Sequence, residues 1–263
     1  MVEIFILSMI AGTVSGLFAG LFGIGGGLIL VPILVFLFKA QGFAADFIMH
    51  MAVATSLATI VLTSISATLA HHRLKSVIWG KVYSLVPGIV IGSVLGAVIA
   101  DTISADSLRI IFAIFLLYIG FQMAFQIKPE AGAMQQSPFL DAVVSIVIGI
   151  LSSMLGIGGG TMTVPYLVRG QFPVRNAVGI ASACGLPIAF GGTLSYMLLG
   201  FEKTGLPAGS WGYVYLPAFA GIVLLSMITA PLGAKLAHKL PAQTIKCYFS
   251  LLIFIMAAKL LSE

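Results

Sequence analysis

Two stretches of the chain share one pattern, and they decide its fold: GLFAGLFGIGGGLILVPIL at 16–34 and GILSSMLGIGGGTMTVPYL at 149–167. The second copy begins 133 residues after the first, with no gap inside the block. Each copy holds a glycine run followed by Val-Pro, and similarity continues further along, where residues 52–56 resemble 177–182. The pattern therefore predicts two duplicated halves.

The composition indicates a membrane protein. Apolar residues make up 60% of the 263 residues, charged residues make up only 8%, and the mean hydropathy is +1.15. Soluble domains carry about 25% charged residues, so this chain has too few charges to cover a water-facing surface. Soluble enzymes, nucleic-acid modules and disordered chains are excluded. Because the apolar runs show no period-two alternation, we expect an all-α integral membrane protein and no barrel.

Charged and turn residues divide the chain into apolar segments of two lengths. Most segments approach the ~20 residues that a spanning helix needs. Segments 28–38 and 161–168 are too short to span at ~1.5 Å per residue, and each follows a glycine run. We expect each half to hold one helical hairpin that turns within the membrane at its glycines, plus about three spanning helices. The segments run roughly over 2–22, 28–38, 47–70, 80–100, 107–126, 138–155, 161–168, 176–200, 211–236 and 241–260.

The charged loops indicate that the halves have opposite orientations. The basic loop at 71–81 is expected in the cytoplasm, whereas its counterpart in the second half has no net charge. The loop with Asp101 is expected outside, whereas its counterpart carries Lys235 and Lys239 and is expected inside. This is typical of inverted-topology repeats, which are common in secondary transporters. The tracing places both termini outside and predicts a first repeat at 1–128, a cytoplasmic linker at 129–137 and an inverted second repeat at 138–263.

The twin motifs, FGIGGGLILVPIL at 22–34 and LGIGGGTMTVPYL at 155–167, resemble those of the sulfite exporter TauE/SafE family. The resemblance extends over the whole chain in size, duplicated halves and the Ala-Val stretch after each motif. It implies a multi-pass carrier of the bacterial inner membrane for small sulfur-containing anions, such as sulfite or an organosulfonate. We expect the chain to export one such anion by alternating access. Members serve different substrates, so the motifs do not identify the anion.

The glycine runs form the candidate anion site. Glycine lets a ligand approach the backbone, and the unpaired first amides of a helix carry about half a positive charge. Two such helix starts facing each other would hold an anion without a buried cation. The alternative is that the glycines only allow close helix packing. The predicted substrate-binding residues here are Gly23, Gly25, Gly26, Gly27, Gly156, Gly158, Gly159, Gly160 and Thr161.

Polar residues on the long segment after each motif extend the candidate site. Thr55, Ser56 and Ser182 either donate to substrate oxygens or bond carbonyl groups of their own helix. His50 and Arg175, with Asn176 beside it, are candidates for an anion-attracting vestibule, although helix anchoring is the preferred interpretation for Arg175.

One proline follows each glycine run by five residues. Pro32 and Pro165 each lie about one turn into the short helix and are expected to kink it, because proline removes an amide donor.

No cofactor and no metal site is predicted, and no nucleotide-binding motif is present. The acidic residues lie near segment ends, away from the mid-helix positions of a proton relay, which favours a uniporter or a carrier driven by the membrane potential. The expected partners are a small anionic substrate and the lipid bilayer, with no nucleic acid. An oligomer is compatible with the sequence but is not predicted.

Four alternatives compete with the exporter. An anion channel or an uptake permease for sulfonate- or thiosulfate-type anions would use the same glycine site. A membrane-embedded enzyme is discounted, because it would need catalytic polar groups within the helices. A scaffold subunit would show no stabilisation by a substrate.

Overall fold

The computed structural model describes residues 2–22, 26–125, 137–237 and 242–262. Within these ranges the side chains of 2–4, 20–22, 231, 233–237 and 242–248 are outside the description. Gly23, Gly25 and nearly all of the predicted linker therefore fall outside the described residues.

Ten helices and one small hairpin make up the described part of the chain, which confirms the all-α membrane fold. In chain order they are α1 (Val2–Phe22), α2 (Gly27–Ala40), α3 (Ala45–Arg73), α4 (Trp79–Thr102), α5 (Ala105–Ala124), α6 (Pro138–Leu155), α7 (Gly160–Arg169), α8 (Val174–Gly200), β1 (Ser210–Trp211), β2 (Val214–Tyr215), α9 (Leu216–Ala237) and α10 (Ala242–Leu261).

Helix length separates spanning helices from short ones. Within the described residues, α3, α4, α5, α6 and α8 are long and apolar enough to cross a membrane. In contrast, α2 has 14 residues and α7 has 10, so they measure roughly 21 Å and 15 Å, less than the ~30 Å hydrocarbon core. The prediction that both are too short to span is confirmed.

The helices of the two halves pack in corresponding pairs. Helix α1 packs on α9 and α6 packs on α4, while α3 packs on α8 and α5 on α10. The short helices also correspond, since α2 lies against α3 and α7 lies against α8. Helices α3 and α8 form the centre, because they are the most buried of the five long apolar helices. In their most apolar stretches, 78% and 67% of the residues are buried. The orientation of each half relative to a membrane stays a prediction.

Glycines spaced four residues apart bring α4 into backbone contact with α6. A side chain at Gly88, Gly92 or Gly96 would collide with Ser145, Ile146 or Ile150 of α6, and Gly149 of α6 faces Ile89 and Gly92 in return. In a bilayer there is no hydrophobic driving force between helices, so such close backbone approach is a main source of attraction. This packing fixes α4 of the first half against α6 of the second.

The start of the ninth apolar segment is not helical. The continuous apolar run from residue 211 predicts a helix there, and this is wrong for 211–215. Gly209 and Gly212 adopt φ values of +92° and +57°, which interrupt a right-handed helix. Ser210 and Trp211 instead pair antiparallel with Tyr215 and Val214.

Candidate functional site

The two glycine motifs meet inside the protein. A Cβ atom on Gly27, the first residue of α2, would collide with the carbonyl oxygen of Gly156 and lie 2.9 Å from the Cα of Ile157. Gly156 ends α6 in the left-handed conformation, with φ +65°, and its amide donates to the carbonyl of Ser153. Left-handed geometry disfavours a Cβ atom at Gly156, and the close approach leaves no room for one at Gly27, so glycine is strongly favoured at this junction.

Helix α2 begins at this junction and α7 begins four residues after Gly156, and neither helix has a side-chain cap. The N-cap of α2 is Gly26, with φ +74°, and the N-cap of α7 is Gly159; neither supplies a hydrogen-bonding side chain. In α7 the carbonyl of Gly159 accepts from the amides of Met162 and Thr163, which leaves the earlier amides of the first turn for other partners. Gly156, Gly158 and Gly159 are buried, and Gly160 is partly buried. The uncapped start of α2 therefore lies against the turn between α6 and α7, four residues before α7 begins.

Three hydroxyl side chains that the sequence predicted to bind substrate have three different hydrogen-bond partners. Ser56 of α3 donates to the carbonyl of Gly156 at 2.7 Å, so it lies at the junction and ties α3 to the second glycine motif. Thr55 accepts a 3.0 Å bond from the amide of Tyr215 in β2. Ser182 donates to Val178 of its own helix at 2.9 Å. Only Ser56 among these three contacts a glycine motif.

Beside the first motif is a small cavity of about 10 Å³, which is roughly the room that one water molecule needs. Three helices contribute hydroxyl groups to it, but each donates to a backbone carbonyl of its own helix, as Thr59 does to Ser56 at 2.7 Å. The lining residues are Ser15, Gly16, Ala19, Gly26, Leu30, Thr59, Thr63, Ile222 and Ser226.

Beside the second motif the hydroxyl groups differ in their hydrogen bonding. Within the described part of the structure, Ser152, Ser153, Thr161 and Thr163 are buried and their side-chain oxygens have no hydrogen-bond partner. Thr161 was a sequence candidate, whereas the other three were missed. Comparison of the two copies would have indicated them, since Ala19, Gly20 and Leu30 occupy the matching positions in the first copy.

The vestibule candidates lie at opposite ends of α4. His50 is buried, its Nε2 lies 2.9 Å from the carbonyl oxygen of Ala100, and its ring stacks on Tyr213 with centroids 5.4 Å apart. Arg175 donates to the carbonyl of Leu74, and Asn176 donates to that of Ser76 at 3.2 Å. Arg175 and Asn176 therefore fasten the loop between α3 and α4.

Pro32 and Pro165 lie where the sequence placed them, five residues beyond each glycine run. Both are inside their helices, and α2 and α7 continue past them.

Two clusters of aspartate, lysine and tyrosine link the halves at the two ends of α4, and the sequence did not predict them. Near its start, Lys81 lies 2.6 Å from Asp141 of α6, which also accepts from Tyr166 at 2.5 Å. Near its end, Asp101 accepts from Tyr213 at 2.6 Å. Lys203 completes this second cluster, with its Nζ 3.4 Å from Asp101.

The electrostatics of the second cluster keep its phenol protonated. Burial, together with the hydrogen bond to Asp101, raises the pKa of Tyr213 well above its usual value. At neutral pH the phenol is therefore a hydrogen-bond donor to the carboxylate.

Comparison with known proteins assigns the chain to a family. The chain matches the family described as Sulfite exporter TauE/SafE over residues 8–260. A "Probable membrane transporter protein" of Haemophilus influenzae is 34% identical over 253 residues, covering 96% of each chain. One from Methanocaldococcus jannaschii is 27% identical over 95% of this chain and 92% of its own. YunE of Bacillus subtilis, also named a probable membrane transporter protein, is 25% identical over 98% of both. No solved structure matches the chain significantly.

Proposed function

The chain belongs to the sulfite exporter TauE/SafE family, and we propose that it exports a small sulfur-containing oxyanion, sulfite or an organosulfonate, by alternating access. The anion binds where the two glycine motifs meet. The observation that carries this proposal is the contact between Gly27 and Gly156, because it brings the uncapped start of α2 against the turn that leads from α6 into the uncapped start of α7. Unsatisfied amides at such a helix start attract negative charge.

A site of helix dipoles suits a carrier better than a site built on a lysine or arginine. Each helix start offers about half a positive charge, and a full cation in the membrane interior costs several kcal/mol. The backbone donors are fixed in position, so binding needs little reorganisation. A site with this moderate charge can also release the anion, which a carrier must do in every cycle.

The membrane potential supplies a driving force for export. With the inside negative, moving one anionic charge outward gains about 2.3 kcal/mol per 100 mV. We place the chain in the bacterial inner membrane, with two inverted repeats and both termini outside, so that the two hairpins enter from opposite faces. No chemical step is assigned to the protein.

The first experiment measures the thermal stability of the purified protein with sulfite, thiosulfate, taurine, isethionate, sulfate, phosphate and acetate. A ligand that binds the folded state stabilises it by RT ln(1 + [L]/Kd), about 2.7 kcal/mol at a hundredfold excess over Kd. We expect a selective shift with a sulfur oxyanion or sulfonate, and saturable, trans-stimulated flux of that anion in liposomes. Single-channel currents would instead show a channel, and a flat panel with no flux would refute the proposal.

A paired substitution tests the location of the site. In Gly159→Val the new Cβ would lie 2.8 Å from the Cδ1 of Ile188, the mobile end of a side chain, so the variant is expected to fold. It should lose the anion-dependent shift because the branched side chain covers the start of α7. The control is Gly120→Val on α5, where the Cβ would lie 3.0 Å from the ring of Phe254. Loss of the shift in both variants would point to a general packing defect.

A further inference from the structure

The second glycine motif carries buried hydroxyl groups whose hydrogen-bonding capacity is not used within the described structure. Ser153 and Thr163 both have 0% exposure, and neither hydroxyl has a partner. Buried polar side chains are nearly always hydrogen-bonded, because an unsatisfied group costs about 1–3 kcal/mol. Elsewhere in the described structure Ser145 donates to Ala142 and Ser195 donates to Gly191, whereas Ser8, Thr193 and Ser210 have no partner. Four of the seven unsatisfied hydroxyls of the described residues, those of Ser152, Ser153, Thr161 and Thr163, lie at the second glycine motif. The unsatisfied pair therefore requires an explanation.

The two hydroxyls face the same side of α8. A Cβ on Gly192 would lie 2.8 Å from the Oγ of Ser153. A Cβ on Gly159 would lie 3.2 Å from the Oγ1 of Thr163 and 2.8 Å from Ile188. Ile188 and Gly192 are four residues apart, so they lie on one face of α8, about 6 Å apart along the axis. A small oxyanion placed against this face of α8 would accept an O–H···O bond of about 2.7 Å from each hydroxyl.

The first half lacks these donors. At the same places in the repeated pattern it has Gly20 instead of Ser153 and Leu30 instead of Thr163. Leu30 is buried and lines the cavity beside Gly26. The glycine turns are duplicated, but the hydroxyl groups belong to the second half alone.

We propose that Ser153 and Thr163 bind the transported anion directly and determine which anion is accepted. This inference rests on the proposed function and deepens it. The ligand class is an oxyanion that presents at least two acceptor oxygens, as a sulfite or sulfonate group does. The start of α7 contributes backbone amides, and the two hydroxyls contribute uncharged donors on the α8 side. The first glycine motif contributes the positive end of the α2 dipole, and it has no hydroxyl side chains at the positions of Ser153 and Thr163 to donate to the anion.

The test uses Ser153→Ala and Thr163→Val in the full-length protein, with Ser145→Ala and Ser195→Ala as matched controls. Ser145 lies on the same helix as Ser153 and is equally buried, but its hydroxyl is already bonded. Sulfite and methanesulfonate are titrated against the thermal stability of each variant, with acetate and chloride as comparison anions. Removing a hydrogen bond to a charged ligand should weaken sulfite or methanesulfonate binding about tenfold to a hundredfold in each test variant.

A second readout separates ligand binding from a structural role. Without anion, the test variants should melt at or above the wild-type temperature, because the lost hydroxyl had no partner. The controls should melt lower and keep wild-type affinity. If Ser153→Ala and Thr163→Val bind the anion with wild-type affinity, this inference is overturned but the proposed function is not. The same holds if their melting temperatures fall as far as those of the controls. Failure of the wild-type protein to bind or transport any sulfur anion would overturn the proposed function.

Discussion

The Nζ of Lys81 lies 2.7 Å from Oδ1 and 2.6 Å from Oδ2 of Asp141, and both side chains are about nine-tenths buried. This ion pair joins the start of α4, in the first half, to the first turn of α6, in the second. The hydroxyl of Tyr166 donates to the same carboxylate from α7. The helix that follows the second glycine motif is thus tied to the same aspartate as α4.

Asp141→Asn should destabilise the protein strongly. Removing one member of a buried ion pair leaves the other charge uncompensated and typically costs about 3–5 kcal/mol. The double variant Lys81→Met/Asp141→Leu should recover much of this loss, since apolar replacement of both partners is often close to neutral. Denaturant unfolding in detergent gives both values. A double variant no more stable than Asp141→Asn would show that the pair has a role beyond charge compensation.

Much of the fold could be predicted from the sequence because it depends on local patterns. Apolar length separates spanning helices from α2 and α7, and the glycine runs place the hairpin turns near Gly27 and Gly156. The contact between Gly27 and Gly156 could not be predicted, because these two glycines occupy different positions of the repeat. The hairpin at 210–215 could not be predicted, because its strands are only two residues long and depend on a contact with Thr55 of α3.

The side-chain contacts around the candidate site could be predicted only in part, because the partners are distant in the sequence. Asp141 and Lys81 are 60 residues apart, and Asp101 and Tyr213 are 112 residues apart. Such pairs leave no local pattern. Ser56 and Ser182 have similar sequence surroundings, yet one bonds the glycine junction and the other bonds its own helix. That difference arises from packing between the halves.

The second ion cluster should tolerate loss of its lysine better than loss of its tyrosine. Lys203 is 38% exposed and its Nζ lies 3.4 Å from Asp101, so Lys203→Ala should cost less than about 1 kcal/mol. Tyr213 is 2% exposed, and Tyr213→Phe leaves Asp101 without its 2.6 Å donor, which should cost about 1–3 kcal/mol. The order of the two unfolding free energies checks this. The reverse order would mean that the salt bridge is the dominant contact.

Stability should fall at alkaline pH through Tyr213. Its pKa is raised in the folded state, chiefly by burial and then by Asp101. Folding therefore favours the neutral phenol. The stability that Tyr213 contributes is complete below about pH 10, the pKa of tyrosine in the unfolded chain, and it is lost as the pH rises above that value. Burial also raises the pKa of Tyr215, which acts in the same range. Melting temperatures should drop above pH 10, less steeply in Tyr213→Phe. The exposed residue Tyr83 supplies the control Tyr83→Phe, which should follow wild type.

Ser56→Ala should impair the glycine junction, because the Ser56 hydroxyl donates to Gly156 and so acts here by positioning the turn and not by donating to the anion. Its hydroxyl donates to the carbonyl of Gly156, and losing that bond should cost about 1–2 kcal/mol, because the buried carbonyl loses a donor. Anion affinity should fall modestly, since the position of the second turn becomes less fixed. Ser182→Ala is the control, because that hydroxyl bonds only its own helix. Equal affinity losses in both variants would argue against a positioning role for Ser56.

Gly156→Ala and Gly42→Ala separate backbone strain from crowding at the junction. Both glycines are left-handed, with φ +65° and +72°, so each alanine should cost about 1–2 kcal/mol from conformation alone. A Cβ on Gly42 would meet nothing within 4 Å, whereas on Gly156 it would lie 2.9 Å from Val31 Cγ2 and from the Cα of Val53. Overpacking adds about 1–3 kcal/mol, so Gly156→Ala should be clearly the less stable variant and should lose the anion-dependent shift. Equal stabilities would show that the two glycine motifs separate easily, and the packed junction would then be a weak contact.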